Sequence, residues 1–334
     1  MIIDAYTHWT PVRYVKELTK VNDYQARKAG DYAINLSREK KNFMDIDARL
    51  DDLKKFGFEK QITMVHSIIE PNTFNLSDEE GMRLSSMIND DLVDLSKKSG
   101  GKILGIGTIP LHCLESGGLE EMERAVSLGI KGFMMPTNAL GKPLDSFYPA
   151  LEKASKLSVP IYIHPVDTPE TMGRPYEIEY DLMHVLGWPY ETSVIWARLV
   201  LSGIMEKLPG LKVVTHHLGG TIPYLIGRIQ ESYDAKASKV MNVKGEIYSA
   251  RKSPMEMIKR FYYDTAIGGN PSAIKCGKEV IGHENIVFST DYPWGPDSGR
   301  SRMETYPDHV RMANFDNDQL EDVFYKNITK LLGL

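Results

Sequence analysis

The amino-acid sequence predicts an α/β fold, a (β/α)₈ TIM barrel that occupies residues 1–334 as a single domain. Two observations predict it. Eight short apolar segments of strand character alternate with helical segments, and several of the apolar segments end in His or Asp. Strand–helix alternation favours a parallel sheet, and eight repeats favour a closed barrel over an open doubly wound sheet. No Gly-x-Gly-x-x-Gly motif follows the first segment, which weakens the nucleotide-binding alternative further.

Each predicted strand is a short apolar run. The eight runs are Met1–His8, Gln61–Ser67, Ile103–Pro110, Ile130–Pro136, Pro160–Pro165, Leu211–His217, Phe261–Ile267 and Ile286–Pro293. Barrel strands covered by helices should be nearly continuously apolar, and residues 160–163 and 211–214 approximate that pattern. Helical periodicity lies between the runs, at Gly118–Leu128, Pro149–Leu157, Pro223–Tyr233, Ile274–Ile281 and Asp318–Leu332.

Two connections are too long for simple crossovers. Residues 10–60 form a predicted helical insertion after strand 1, which includes a helix at Asp45–Phe56. Residues 166–210 form an extended connection between strands 5 and 6, with helical segments at Tyr180–Leu186 and Ser193–Leu208. Long excursions at the catalytic mouth of a barrel usually act as lids or partner surfaces, so we expect the insertion to form a lid.

Composition and charge indicate a protein that acts on small molecules. The hydrophobic content of 42% is ample for a large core, and the net charge of −5 is spread among interspersed acidic and basic residues. This pattern predicts neither a nucleic-acid face nor a membrane-binding patch, and no apolar stretch has the length of a membrane span. Cys113 and Cys276 lie far apart and outside any Cys-x-x-Cys motif, which fits a reducing cytoplasm.

Histidine and aspartate residues concentrate at the predicted strand ends. Barrel enzymes place their chemistry at the carboxyl ends of strands, where side chains converge. The residues at these positions are His8, His66, His164, His216, His217 and Asp291, and Asp264 lies in the seventh run. A lone His at a strand end is more often structural. Several at one mouth indicate a divalent metal site, for which zinc is expected and manganese is the alternative.

The order of these motifs resembles the aminocarboxymuconate-semialdehyde decarboxylase-related branch of the amidohydrolase superfamily. Six separate parts of the chain match. They are Ile3–Pro11, Arg49-Leu50, Gly105–Pro110, Ile163-His164-Pro165, His217–Gly220 with Gly227-Arg228-Ile229, and Thr290–Pro293. The resemblance implies metal ligands at His8, His164 and Asp291. It also implies that His217 is a catalytic acid/base, while strand alternation is expected to turn His216 away from His217.

The same resemblance implies how a carboxylated substrate is held. Two arginines are expected to bind it, matching Arg49 and Arg228, and the second can come from the neighbouring subunit of a homodimer. The other interpretation of Arg49 is a surface ion pair within an acidic helix. Additional candidates for substrate specificity, each with a structural alternative, are His66, His184, Trp188 and the pair Met134-Met135.

Tyr6 departs from the family pattern, because the expected His-x-His reads Tyr6-Thr7-His8 in this chain. A phenol needs a strong cationic perturbation to bind as phenolate, so Tyr6 is either a metal ligand or a neutral hydrogen-bonding catalytic group. Three ligands still suffice for a catalytic metal with open positions. A weakened or absent metal is the third possibility.

The functional prediction is a metal-dependent lyase, a decarboxylase of a small cyclic or unsaturated carboxylic acid. The metal and arginines would hold the substrate, and His217 would move a proton. In the alternative, a metal-dependent hydrolase or hydratase, His217 or Asp291 would activate metal-bound water. A different class is a non-catalytic ligand-binding barrel with a degenerate metal site. Metal content and carbon dioxide release discriminate among these possibilities.

Overall fold

The computed structural model describes residues 1–166, 179–236 and 250–334 of the chain. Its strands form two parallel hydrogen-bonded sheets and a separate antiparallel hairpin. The strands are β1 (Ile3–His8), β2 (Lys60–Met64), β3 (Ile103–Gly105), β4 (Gly107–Thr108), β5 (Phe133–Pro136), β6 (Asn138–Ala139), β7 (Lys142–Pro143), β8 (Ile161–His164), β9 (Val213–Thr215), β10 (Phe261–Asp264) and β11 (Ile286–Val287). The sheets run β1-β2-β3 and β11-β10-β9-β8-β5-β4, and β6 pairs with β7.

The two sheets join into one barrel. The third predicted run contains both β3 and β4, so the edges of the two sheets are consecutive parts of one stretch. At the opposite edge, Ala5 N–H donates to the Phe288 carbonyl at 2.8 Å, and His8 N–H donates to the Tyr292 carbonyl at 2.7 Å. With β3 and β4 counted together, the barrel has the eight strands expected, and the predicted TIM-barrel fold is confirmed.

Helices surround the barrel, and the predicted helical segments agree with observed helices within a few residues, whereas several other helices, including Asp78–Lys98 and Arg300–Arg311, were not predicted. They are α1 (Val12–Leu18), α2 (Tyr24–Glu39), α3 (Ile46–Phe56), α4 (Asp78–Lys98), α5 (Leu119–Leu128), α6 (Tyr148–Leu157), α7 (Trp188–Leu201), α8 (Ile204–Lys207), α9 (Ile222–Lys236), α10 (Pro254–Met257), α11 (Pro271–Ile281), α12 (Arg300–Arg311), α13 (Asn317–Glu321) and α14 (Asn327–Leu332). None of the helices in the described ranges combines the length and the apolar character needed to cross a membrane.

The two long connections contain helices, as expected. Residues 10–60 carry α1, α2 and α3, and α1 packs against both α2 and α4. In the second connection, the predicted helix Ser193–Leu208 is two helices. The first begins earlier, at Trp188, and the chain turns at Gly203, whose φ of 75° ends the regular helical path before α8. Residues 167–178 of this connection lie outside the described residues.

A buried carboxylate fixes the first strand against the last. Asp4 is fully buried, and its side chain accepts hydrogen bonds from Thr290 N–H at 3.0 Å and from the Thr290 hydroxyl at 2.5 Å. Burial raises the pKa of Asp4 to about 7 although these hydrogen bonds oppose the shift. Because Thr290 immediately precedes Asp291, this contact holds Asp291 opposite the end of β1.

Candidate metal centre and active site

Three histidines converge at the carboxyl ends of the barrel strands. His8 ends β1, His164 ends β8, and His216 directly follows β9. Their ligand-capable nitrogen atoms lie within 4.8 Å of one another, and all three residues are buried. His216 also belongs to a second group of the same size with His217 and Asp291. The structure therefore brings together the predicted ligands His8, His164 and Asp291 and places His216 among them.

An oxygen atom lies beside the Nδ1 atom of each of the three histidines. The His8 Nδ1 atom is 3.4 Å from the Val65 carbonyl, and the His164 Nδ1 atom is 2.6 Å from the Pro165 carbonyl. The Nδ1 atom of His216 pairs with the carboxylate of Asp264. An acceptor at Nδ1 favours the proton on that atom and leaves Nε2 available as a ligand.

The donor set fits a divalent cation. His8 Nε2 is buried without a hydrogen-bond partner, yet it lies 3.1 Å from the Asp291 carboxylate in a contact outside hydrogen-bond geometry. This close approach of two electron-pair donors fits a cation bound between them. Imidazole nitrogen and carboxylate oxygen are ligands that both zinc and manganese accept.

Burial and charge favour the protonation states that a cation requires at the predicted ligands His8, His164 and Asp291. Burial lowers the pKa of His8 and holds that of His164 well below its usual range. Burial opposes ionisation of Asp291, but the neighbouring His216 and His8 outweigh it and hold the pKa of Asp291 well below its usual value. Burial also opposes protonation of His216, but Asp264 and Asp291 raise its pKa to about 9.

Tyr6 lies within the barrel beside His216. Its hydroxyl donates to the Ile163 carbonyl at 2.9 Å, and its ring stacks on the His216 ring with centroids 4.0 Å apart and planes inclined by 9°. Burial and the charges of Asp264 and Asp291 raise the pKa of Tyr6 well above 10. These contacts fit a neutral phenol that donates its proton in a hydrogen bond to the Ile163 carbonyl.

His216 and His217 both face the site, so the expectation that strand alternation separates them was wrong. Their ring centroids are 3.7 Å apart. The reason lies in the backbone: β9 ends at Thr215, and His217 has a left-handed φ of 53°. The alternation of side chains holds only while the chain stays extended.

A cavity of about 620 Å³ opens above the histidines, large enough for a small cyclic acid. Its lining residues include the metal candidates His8, His164 and Asp291, the acid/base candidate His217, and three predicted specificity residues, His66, His184 and Trp188. Tyr32 from α2 of the insertion and Trp294 also line it. By contrast, Met134 and Met135 are buried in the core and do not line the cavity, which agrees with their structural interpretation.

The two arginines expected from the resemblance do not line this cavity. Arg49 is fully buried, so it is not a surface ion pair either. Its guanidinium donates to Gln61 Oε1 at 2.6 Å, to the His8 carbonyl at 2.5 Å and to Thr7 Oγ1 at 2.7 Å. Arg49 therefore supports the end of β1 from below. Arg228 is exposed on α9, and its contribution to a neighbouring subunit's site stays a prediction.

Among the described residues, Arg302 is the arginine that lines the cavity, and it was not predicted from the sequence. It lies on α12, and its NH1 atom donates to Asp291 Oδ2 at 2.8 Å. Gly295 makes this approach possible, because a Cβ atom at that position would lie 2.4 Å from Arg302 Nε. Arg302 belongs to no motif and lies beyond the last strand, so the sequence contained no signal that could have identified it.

Comparison with known proteins shows which proteins the chain is similar to. The sequence model of the amidohydrolase family named Amidohydro_2 matches residues 3–334. A 2-amino-3-carboxymuconate-6-semialdehyde decarboxylase from Dictyostelium discoideum is 27% identical over 256 residues, which cover 76% of this chain and 68% of the relative.

Solved structures of decarboxylases share the fold. A 5-carboxyvanillate decarboxylase from Novosphingobium aromaticivorans, with bound manganese and 3-methoxy-4-hydroxy-5-nitrobenzoic acid, superposes with a TM-score of 0.85 at 21% identity, covering 100% of this chain and 97% of that one. A dihydroxybenzoic acid decarboxylase from Polaromonas sp., with manganese and 2-nitroresorcinol, gives a TM-score of 0.79 at 21% identity and the same coverage of both chains.

Proposed function

Because the chain belongs to the amidohydrolase family, we propose that it is a metal-dependent decarboxylase of a small aromatic carboxylic acid. The observation that carries this proposal is that His8, His164 and Asp291 line one cavity together with Arg302, the one arginine among its described lining residues. The relative and the two structural neighbours described above are named as decarboxylases, and both of these neighbours hold manganese with aromatic ligands.

His8, His164 and Asp291 would hold the metal. We propose manganese, with zinc as the alternative that the same donor set accepts. When bound, the cation would withdraw charge from the carboxylate and from an adjacent oxygen of the substrate. The neutral imidazoles and the ionised carboxylate favoured by the site's burial and charge would be ready to bind it without a further loss of protons at His8, His164 or Asp291.

Arg302 would orient the substrate carboxylate. NH1 is used by Asp291 and, at 3.4 Å, by the Thr290 carbonyl, whereas its other nitrogen atoms have no hydrogen-bond partner among the described residues. A guanidinium presents several donors in one plane, so one edge can fix Asp291 while another binds a carboxylate. Arg302 would thereby bind the substrate beside the metal ligand.

His217 would deliver the proton that replaces the carboxylate. Decarboxylation breaks the bond between the ring carbon and the carboxylate, releases carbon dioxide and leaves an electron pair that must take a proton. His217 lines the cavity, and its buried Nδ1 atom has no hydrogen-bond partner in the described part of the chain. Burial and the charge of His216 hold the pKa of His217 well below its usual range, so its neutral imidazole would take up a proton from solvent and pass it to the ring carbon. Tyr6 would remain neutral below the reacting groups.

Aromatic walls would hold the ring of the substrate. The rings of His66 and Trp294 meet edge to face with their centroids 5.5 Å apart, and the ring centroids of Trp188 and His164 are 5.6 Å apart. Flat apolar rings around a few polar groups suit an aromatic acid better than a flexible chain. Tyr32 would make the helical insertion, residues 10–60, part of this wall and give it a role as a lid.

We also propose that the enzyme acts in the cytoplasm as a homodimer. Both cysteines are free, with Cys113 buried, which is consistent with a reducing compartment. In a dimer the exposed Arg228 would be available to a neighbouring active site.

The test is carbon dioxide release from a panel of hydroxylated benzoic acids, with purified protein loaded with manganese or zinc. We expect release that requires metal, stops after chelation and is lost in His164→Asn. The panel should include lactones, with acid release monitored in parallel. Hydrolysis of lactones without any carbon dioxide from the acids would overturn the decarboxylase proposal in favour of a hydrolase.

A further inference from the structure

We infer that His216 is a fourth protein ligand of the metal and takes over the position left by the missing first histidine of His-x-His. The inference rests on the metal-dependent function proposed above. It assigns different roles to the adjacent histidines, with His216 at the metal and His217 facing the substrate.

The first argument is the convergence of ring nitrogens. His8, His164 and His216 form one cluster with ligand-capable atoms within 4.8 Å, and each ring has an oxygen acceptor at Nδ1. His216 Nε2 also lies 3.6 Å from the Asp291 Oδ1 atom, the same oxygen that lies 3.1 Å from His8 Nε2. His216 thus belongs to one group with His8 and His164 and to another with Asp291, and imidazole nitrogen and carboxylate oxygen are donor types of a catalytic metal site.

The second argument is the support behind His216. Asp264 ends β10, is fully buried and pairs with His216 Nδ1. Its other oxygen accepts hydrogen bonds from Ala266 N–H at 3.0 Å and Leu218 N–H at 3.4 Å. A carboxylate held in this way fixes the ring orientation of its histidine, and a carboxylate behind an imidazole is the usual support of a metal-binding histidine. Among the three clustered histidines, His216 is the one that has it.

The third argument concerns Tyr6. A tyrosine ring is longer than an imidazole, and here its hydroxyl reaches past the cluster to the Ile163 carbonyl on β8. Its face packs flat against the His216 ring. Face-to-face packing leaves the edge of the imidazole free, so Tyr6 restrains the plane of His216 without covering Nε2. Tyr6, which stands where the family pattern has a histidine ligand on β1, thus orients His216, the proposed replacement ligand after β9.

The different positions of His216 and His217 depend on the turn after β9. The left-handed φ of His217 lets two consecutive histidines point into the same space. His217 contacts Trp188, with ring centroids 6.4 Å apart, and lines the cavity, whereas His216 is absent from the cavity lining and lies deeper. The deeper ring is placed for the metal and the shallower ring for the substrate.

Metal binding by the purified full chain tests the inference directly. We would titrate metal-free wild type, His216→Asn and His217→Asn with manganese and measure the affinity from the signal of free Mn²⁺ in electron paramagnetic resonance. We expect the dissociation constant to rise at least about 10-fold in His216→Asn and to stay near the wild-type value in His217→Asn. Asp264→Asn should weaken binding by about 10- to 100-fold, as loss of a supporting partner usually does.

A second measurement needs no variant. Electron spin echo modulation of manganese-loaded wild type reports imidazole nitrogens bound to the metal, and we expect three. Two imidazoles, or an unchanged affinity in folded His216→Asn, would overturn the inference while leaving the decarboxylase proposal intact. Conversely, three bound imidazoles in a protein that releases no carbon dioxide would support His216 as a ligand and refute the proposed reaction. Failure of wild type to bind manganese or zinc would overturn both.

Discussion

The guanidinium of Arg302 holds the carboxylate of Asp291 at 2.8 Å, from a helix that begins nine residues after Asp291 in the chain. This contact connects the residue expected to bind metal with the residue placed to bind substrate. Because one planar cation faces both, movement of Arg302 changes the position of Asp291 as well as the charge of the cavity. The first two predictions follow from this pair.

Replacing Arg302 by Gln should weaken substrate binding. A charge-assisted hydrogen bond contributes about 1.5–3 kcal/mol, so we expect KM to rise roughly 10- to 100-fold in steady-state assays of carbon dioxide release. Arg311→Gln is the matched control, since Arg311 lies on the same helix and pairs with exposed Asp308. A KM for Arg302→Gln equal to that of the control would show that Arg302 does not bind the carboxylate.

Replacing Gly295 by Ala should imitate the loss of Arg302. The new Cβ atom would lie 2.4 Å from Arg302 Nε, so the guanidinium must move away from Asp291. We expect a higher KM in the same assay. Gly295 has a φ of +96°, and Gly141→Ala controls for the backbone strain, because Gly141 has a φ of +69° but no atom within 4 Å of the added carbon. Equal effects of the two changes on KM would assign the loss to strain instead of displacement.

Replacing Arg49 by Met should destabilise the fold. Its guanidinium satisfies the buried oxygens of Gln61, His8 and Thr7, and each buried acceptor left without a partner costs about 1–3 kcal/mol. We expect the free energy of unfolding in urea to fall by at least about 3 kcal/mol. Undiminished stability together with a large rise in KM would restore Arg49 to the substrate site.

The stability of the metal-free protein should depend on the protonation of His216. Its folded pKa of about 9 lies above the reference value of 6.5, so the stabilisation is complete below pH 6.5 and is lost as pH rises to about 9. The expected loss is about 3 kcal/mol. Urea unfolding of chelator-treated wild type and His216→Asn at several pH values measures it.

The difference between these two proteins is the relevant quantity. Buried Asp4 and Glu70 have pKa values raised to about 7, so both proteins lose stability from these groups as pH rises towards 7. Only wild type should show the additional decline from pH 6.5 to about 9. Parallel pH profiles in the two proteins would contradict the prediction.

The sequence was sufficient to predict the barrel, because continuously apolar strands and strand-end histidines are local patterns. It was not sufficient for three features of the site. The turn that brings His216 and His217 together has left-handed φ values at His217 and Leu218, a conformation that bulky side chains rarely adopt. Arg302 reaches the cavity because Gly295 has no side chain in its path. Arg49, on a helix rich in charged residues, is buried in the core and not exposed on the surface. Each depends on tertiary contacts that no local pattern encodes.

Pairing of the first strand with the last closes the barrel, and this long-range pairing has a consequence for synthesis of the protein. Ser289 donates to the Tyr6 carbonyl at 3.0 Å, a contact between residues 283 positions apart. During synthesis, β1 therefore lacks the partner that completes its edge, and lacks Asp291, until the ribosome has added the segment around Ser289. A nascent chain that has emerged only through β10 would have His8 and His164 but no closed barrel. Tight metal binding would thus require that the segment carrying Asp291 has been synthesised and has folded against β1.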